Sequence, residues 1–174
     1  MDATTTSLSV AQQVTPYLLT GLGAASAVGL SSLGAAYGTW KTSEYMYSLE
    51  KVEGPVNMKY FTGIVMNGVL AIYGLIIGVI LASNVTDDVS IASGAISLSS
   101  GLVVGLACLF AGIGLGRLLP AKGHAPERYV SLVLVQIYAE ALGLYGLIVA
   151  LILNGNGAVL RDLAQTIAET SSSM

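Results

Sequence analysis

The sequence predicts an all-α membrane protein with four transmembrane helices arranged as two tandem helical hairpins. Three observations carry this. The 174 residues are 54% hydrophobic and only 10% charged, where a soluble domain averages about 25% charged, and the mean hydropathy is +0.76. The few charges leave four long apolar stretches, each offering the roughly 20 residues that a bilayer span requires. Finally, the sequence is written twice.

The first uncharged stretch covers 3–40, and its apolar part begins near Tyr17. It lacks a basic leading segment and is rich in small residues, so it reads as a span and not as a signal peptide. The other stretches are 60–86, 89–116 and 129–160, the last interrupted only by Glu140. Helices are expected near 17–40, 60–83, 95–119 and 130–154. The chain then divides into an N-terminal tail (1–16), a first hairpin (17–84), a connecting loop (85–94), a second hairpin (95–155) that carries Glu140, and a C-terminal tail (156–174).

The basic residues orient these spans. Lys41, Lys51 and Lys59 lie between helices one and two, and Arg117, Lys122 and Arg128 between helices three and four; only Arg161 lies elsewhere. The positive-inside rule puts both basic loops in the cytoplasm and both termini with the 85–94 loop on the opposite side. Glu44, Glu50 and Glu53 share the first basic loop, but acidic residues count little in this rule. Asn84 opens an NVT sequon, expected to lie too near the membrane to be glycosylated. His124, the sole histidine, is expected on a loop surface. Cys108, the sole cysteine, can form no disulfide within the chain and is expected to pack as a small apolar residue.

Composition excludes several classes of function. The net charge is only −3 and no basic cluster invites nucleic acid. The chain has no phosphate-binding loop and no cluster of metal-ligand residues, so neither nucleotide hydrolysis nor a bound cofactor or metal is expected of it.

The repeat is the strongest pattern. VGLSSLGAAYG (28–38) aligns with VGLACLFAGIG (104–114) at six of eleven positions, and VLAIYGLIIGVIL (69–81) with ALGLYGLIVALIL (141–153) at seven of thirteen. Helix one therefore recurs as helix three, and helix two as helix four. Extending the second alignment backwards sets Glu140 opposite Gly68. One hairpin carries a membrane carboxylate and its twin carries nothing ionisable there.

Helices one and three are rich in glycine, alanine and serine, with Gly34, Gly38, Gly105 and Gly112 expected at crowded helix–helix contacts. Small residues let helix backbones approach closely in lipid. Two arrangements fit: packing within one four-helix bundle, or a tight inner ring built from helices one and three of many copies, with the Leu-, Ile- and Val-rich helices two and four facing lipid.

Glu140 sits near the middle of the fourth span. A charge at the bilayer centre costs roughly 2.5–3.5 kcal/mol on insertion scales and marks a functional site by default. It could be a paired structural acid, a permanently protonated hydrogen-bond donor, or a cation carrier. No Lys, Arg or His lies within the four apolar stretches 3–40, 60–86, 89–116 and 129–160, which argues against pairing. Burial disfavours the charged form of a carboxyl group, so Glu140 is suited to hold a proton. A sodium ion needs several oxygen ligands at once. One turn away on helix four only Gln136 offers one, and the twin helix offers Gly68, Val69 and Leu70, with Asn67 and Tyr73 as polar tips. A proton needs no such cage and is the favoured ion. Tyr138 and Tyr145 are candidate hydrogen-bond donors to the carboxylate, or else ordinary packing residues.

The stretches GAAYGTWKTS (34–43), AIYGLI (71–76) and AEALGLYGLIVALILN (139–154) resemble the proteolipid c family of vacuolar-type H⁺-ATPases, over all four helices. The resemblance implies a multi-subunit ring of proteolipid subunits turning in membrane lipid, with the essential carboxylate of the fourth helix at Glu140. It implies partners in other proteolipids, a stator a subunit whose arginine discharges the proton, and a central-stalk d subunit, with ATP hydrolysed in a separate soluble sector. It further implies an acidic compartment such as the vacuole. Sodium-carrying relatives place Thr and Gln ligands where this chain has Val69, Leu70 and Leu115, in keeping with a proton. The two basic loops depart from the family pattern, with Trp40 and an acidic insertion in the first and RLLPAKGHAPERYV in the second. That departure bears on stalk contacts and not on the ion site. Two rivals stand beside this reading. One is a small four-helix secondary antiporter, whose glutamate usually lies in the first helix. The other is a structural or pore-forming tetraspan, which leaves Glu140 unexplained.

Overall fold

The computed structural model describes residues 3–55, 58–85, 91–119 and 129–172. Four α-helices follow one another: α1 (Ala3–Glu53), α2 (Thr62–Ser83, led by a short 3₁₀ turn at Met58–Phe61), α3 (Ile91–Arg117) and α4 (Tyr129–Ser172). All four are long and apolar enough to cross a membrane. Lys122, His124 and Arg128, and residues 86–90 of the connecting loop, lie outside the described residues.

α1 is far longer than the expected 17–40. It begins at Ala3, in the segment read as a tail, and continues through 41–53, read as a loop. The charges there suggested a loop, but Thr42, Tyr45, Met46 and Leu49 are all buried, and their i, i+3, i+4, i+7 spacing is that of one helical face. Lys41 and Glu44 pair at 2.9 Å on the outer face. The helix stops at Gly54, whose φ of 88° suits the left-handed residue that ends a helix, and Pro55 follows it. α4 likewise runs to Ser172 where the sequence suggested a tail from 156. The turn-like NGNG at 154–157 is overridden by packing. Asn154 accepts a hydrogen bond from Asn84 at 3.3 Å, and Gly157 is buried against Ile96. α3 begins at Ile91, ahead of the expected 95.

Along α2 the buried positions are 63, 67, 70, 74, 77 and 81, with 78 beside them. The steps alternate between four and three, a seven-residue repeat over two turns that keeps one seam against its neighbours along the whole helix. α1 packs on α3 and on α2, α3 packs on α4, and α2 also touches α3 and α4. The core runs through this contact, from Ala27 and Ala35 past Leu70, Val104 and Cys108 to Leu147 and Ala150. Cys108 is a fully buried core residue.

Glycine sets the distance between α1 and α3. A Cβ added to Gly34 would lie 2.5 Å from the Cys108 carbonyl oxygen, and one on Gly105 2.7 Å from that of Ser26. One on Gly112 would collide with the backbone of Gly34, and one on Gly38 with the Asn67 amide of α2. These contacts all lie within the chain.

Candidate ion-carrying site

Glu140 projects from α4 at mid-span and is half-buried. The phenolic hydroxyl of Tyr73, on α2, donates to its Oε1 at 3.4 Å, a long hydrogen bond by the standard of O–H···O contacts. Gly143 makes the reach possible. It lies one turn from Glu140, and a Cβ there would stand 2.7 Å from Leu70 Cδ2 and 3.5 Å from the Tyr73 ring. Its missing side chain lets α4 close on α2 so that the phenol spans the gap. Among the described residues no Lys, Arg or His pairs with the carboxylate.

The other expected neighbours are placed elsewhere. Tyr138 and Tyr145 are 67% and 60% exposed, and Tyr73 takes the donor role assigned to them. Gly68 is exposed, with nothing within 4 Å of an added Cβ; it marks the site's position in the first hairpin without touching Glu140. Gln136 is 4% exposed and lies against Gly63 of α2, its Nε2 3.0 Å from where a Cβ would be. It belongs to a polar cluster one turn from the carboxylate. There Asn67, 1% exposed, donates to Thr42 Oγ1 at 3.3 Å, and Thr42 donates to the Gly38 carbonyl at 2.8 Å. Sequence reasoning missed Gly143 and Thr42 and gave Asn67 only a passing role. The alternating four-and-three seam of α2 was the signal that could have placed Asn67 inside.

The surroundings define the chemistry. A carboxyl group on an apolar span, held by one phenol and no base, is equipped to take up and release a proton. Among the described residues no three or more His, Cys, Asp or Glu side chains stand together to hold a metal ion. The family model for the ATP synthase C subunit matches residues 22–81 and again 98–153, once for each hairpin. The chain belongs to the ATP synthase C-subunit family. Within this family it is 42% identical to the c' proteolipid of the V-type proton ATPase of Saccharomyces cerevisiae over 142 residues, covering 78% of this chain and 87% of the relative. It is also 42% identical to the 16 kDa proteolipid (the c type) of the V-type proton ATPase of Homo sapiens over 137 residues, covering 76% and 88%.

Proposed function

We propose that this chain is a proton-translocating proteolipid of the membrane rotor ring of a vacuolar-type ATPase, and that Glu140 is its proton carrier. The observation that carries the assignment to Glu140 is its environment: a lone carboxyl in an apolar span, facing Tyr73, with no base beside it. Family membership and the proton-ATPase relatives support the rest. Protonated, the side chain crosses the lipid-facing part of its circuit as a neutral group; charged, it would pay the cost of an ion in hydrocarbon. Discharge requires a positive, wetter place. The stator a subunit is the proposed site of discharge and the central-stalk d subunit the proposed seat of the ring on the soluble motor. The positive-inside rule supports an orientation with the α1–α2 and α3–α4 connections in the cytoplasm and both termini lumenal, in a vacuolar or other acidic membrane.

The experiment is Glu140→Gln, which keeps shape and hydrogen bonding but has no proton to release. Vesicles bearing only this variant should contain the assembled complex and show no ATP-driven acidification. Near-normal acidification would sink the assignment. A secondary antiporter or a structural tetraspan is disfavoured by the family match across both hairpins.

A further inference from the structure

Two buried amides, Gln136 one turn from Glu140 on α4 and Asn67 on α2, carry acceptors that none of the described residues satisfies. Asn67 Oδ1 and Gln136 Oε1 are shielded from solvent and accept no hydrogen bond, although their residues are only 1% and 4% exposed. An unsatisfied buried acceptor is costly, and native structures answer it with protein or ordered water. Neither amide is needed by the repeat. The position equivalent to Asn67 in the second hairpin is Ala139, and that equivalent to Gln136 in the first is Ile64. The same helices pack with apolar side chains at these places. Three helices nevertheless make room for the amides. Gly38 and Gly63 each stand where a Cβ would press on the cluster, the first on Asn67 and the second on Gln136 and Thr42.

A pocket reaches the Thr42 and Gln136 side of this cluster from the end of the bundle that carries the α1–α2 connection. It is lined by Lys59, Tyr60 and Thr62 at that end and by Thr42, Gly63 and Gln136 further in. The space open to the centre of a water molecule is about 10 Å³, near the minimum for one water. A water molecule brings two O–H donors, and two acceptors are open. Gln136 lies four residues from Glu140, a rise of roughly 6 Å along α4, which one or two waters span.

We propose that Thr42, Asn67 and Gln136 form a buried water site, and that its water is the step through which Glu140 exchanges its proton with the side of the membrane bearing Lys59 and Tyr60. The proposal rests on Glu140 as proton carrier. The step is proton transfer alone. The bound water accepts a proton from the pocket side and passes one of its own to the carboxylate, leaving a neutral water and a neutral carboxyl group, and release runs in reverse. No bond other than O–H is made or broken, and no further reactant is needed. The amides hold the water and do not themselves titrate, so they are positioning residues.

The test replaces each amide by its repeat counterpart, Asn67→Ala with Gln136→Ile, in the intact membrane-bound complex. The readout is the rate at which the Glu140 carboxyl exchanges its proton for deuterium on transfer to heavy water, followed by infrared difference spectroscopy with Glu140→Gln as the blank. Exchange should slow by about tenfold or more, in line with what positioned proton transfer contributes elsewhere, while the total carbodiimide labelling of Glu140 stays unchanged. A density map fine enough to show water should place a peak within hydrogen-bond distance of Asn67 Oδ1 and Gln136 Oε1. Should the double variant not assemble, each single variant takes its place and a smaller slowing in both is expected. Unchanged exchange, or a dry site, overturns the proposal; so does a peak that appears only when Na⁺ is added. Normal acidification by Glu140→Gln would sink the carrier assignment instead, and would leave the exchange result in the wild-type chain standing.

Discussion

At the scale of the residue, the site reduces to one carboxyl and one phenol. Tyr73 donates to Glu140, and Tyr73→Phe removes that donor and changes little else in shape. Loss of one ordinary hydrogen bond costs about 0.5–1.5 kcal/mol, so the variant should assemble normally and acidify vesicles more slowly than the wild type. An unchanged rate would mean that the phenol does not help to hold the carboxyl group. Glu140→Asp keeps the acid but draws it back by one methylene, away from a contact already 3.4 Å long. It should assemble normally and acidify vesicles at a small fraction of the wild-type rate. The vesicle assay that serves for Glu140→Gln measures it.

At the scale of the element, glycine plays two different parts, and substitutions separate them. Gly105 faces α1 within the same chain, where an added Cβ would meet the Ser26 carbonyl at 2.7 Å and Leu30 Cβ at 3.0 Å. Overpacking of this kind typically costs about 1–3 kcal/mol, and here backbone stands in the way and cannot swing aside. Gly105→Leu should therefore lower the thermal stability of the chain itself in detergent. Gly29, by contrast, is exposed on α1, with nothing within 4 Å of an added Cβ. With Gly21, Ala25, Ser32 and Ala36, also exposed, it forms a face of small residues that the chain does not use. Gly29→Leu should leave the chain's stability unchanged and reduce the mass of the solubilised assembly, read by light scattering. Equal effects of the two substitutions on chain stability would refute this division. The sequence made the number of spans, their order and the carboxylate legible, because hydropathy, charge and the repeat act locally. The lengths of α1 and α4 were not legible. Residues 41–53 look like a charged loop until Thr42, Tyr45, Met46 and Leu49 are seen to share a buried face, and NGNG looks like a turn until Asn84 and Ile96 are seen to pack on it. Tyr73 was legible as a polar tip near Glu140, but it was not legible that Tyr73, and neither Tyr138 nor Tyr145, donates to the carboxylate. Tyr138 and Tyr145 are its neighbours in sequence, but the approach of α2 to α4 across Gly143 selects Tyr73, and that approach is a property of two helices together.

At the scale of the whole molecule, the burial is uneven: 44% of the α3 span is buried within the chain but only 22% of the α4 span. α4 exposes Leu134, Ile137, Leu142, Ile148 and Ile152, among others. Exposed apolar surface on this scale belongs against lipid or against further copies, and the carboxyl carried by α4 lies at the edge of the chain. This arrangement makes the ion itself testable. A carbodiimide reacts with a protonated carboxyl group in an apolar place. Of the ten acidic residues only Glu140 lies within a long apolar stretch; the other nine fall among the charged, polar segments of the sequence, where water keeps carboxylates ionised at neutral pH. Labelling of the intact chain should therefore be confined to Glu140. Millimolar Na⁺ should give no protection at fixed pH. The positions at which the resemblance to sodium-carrying relatives leads one to expect ligands are Val69, Leu70 and Leu115, all apolar, and Leu70 and Leu115 are buried in the core, while the amide on the same helix, Gln136, is turned toward Gly63. A sodium ion would thus find one carboxylate and one phenol, too few oxygens to replace its water shell. Strong protection by Na⁺, measured as the loss of label at Glu140, would overturn the proton assignment and would require α2 and α4 to move until the Asn67 and Gln136 oxygens converge on the carboxylate.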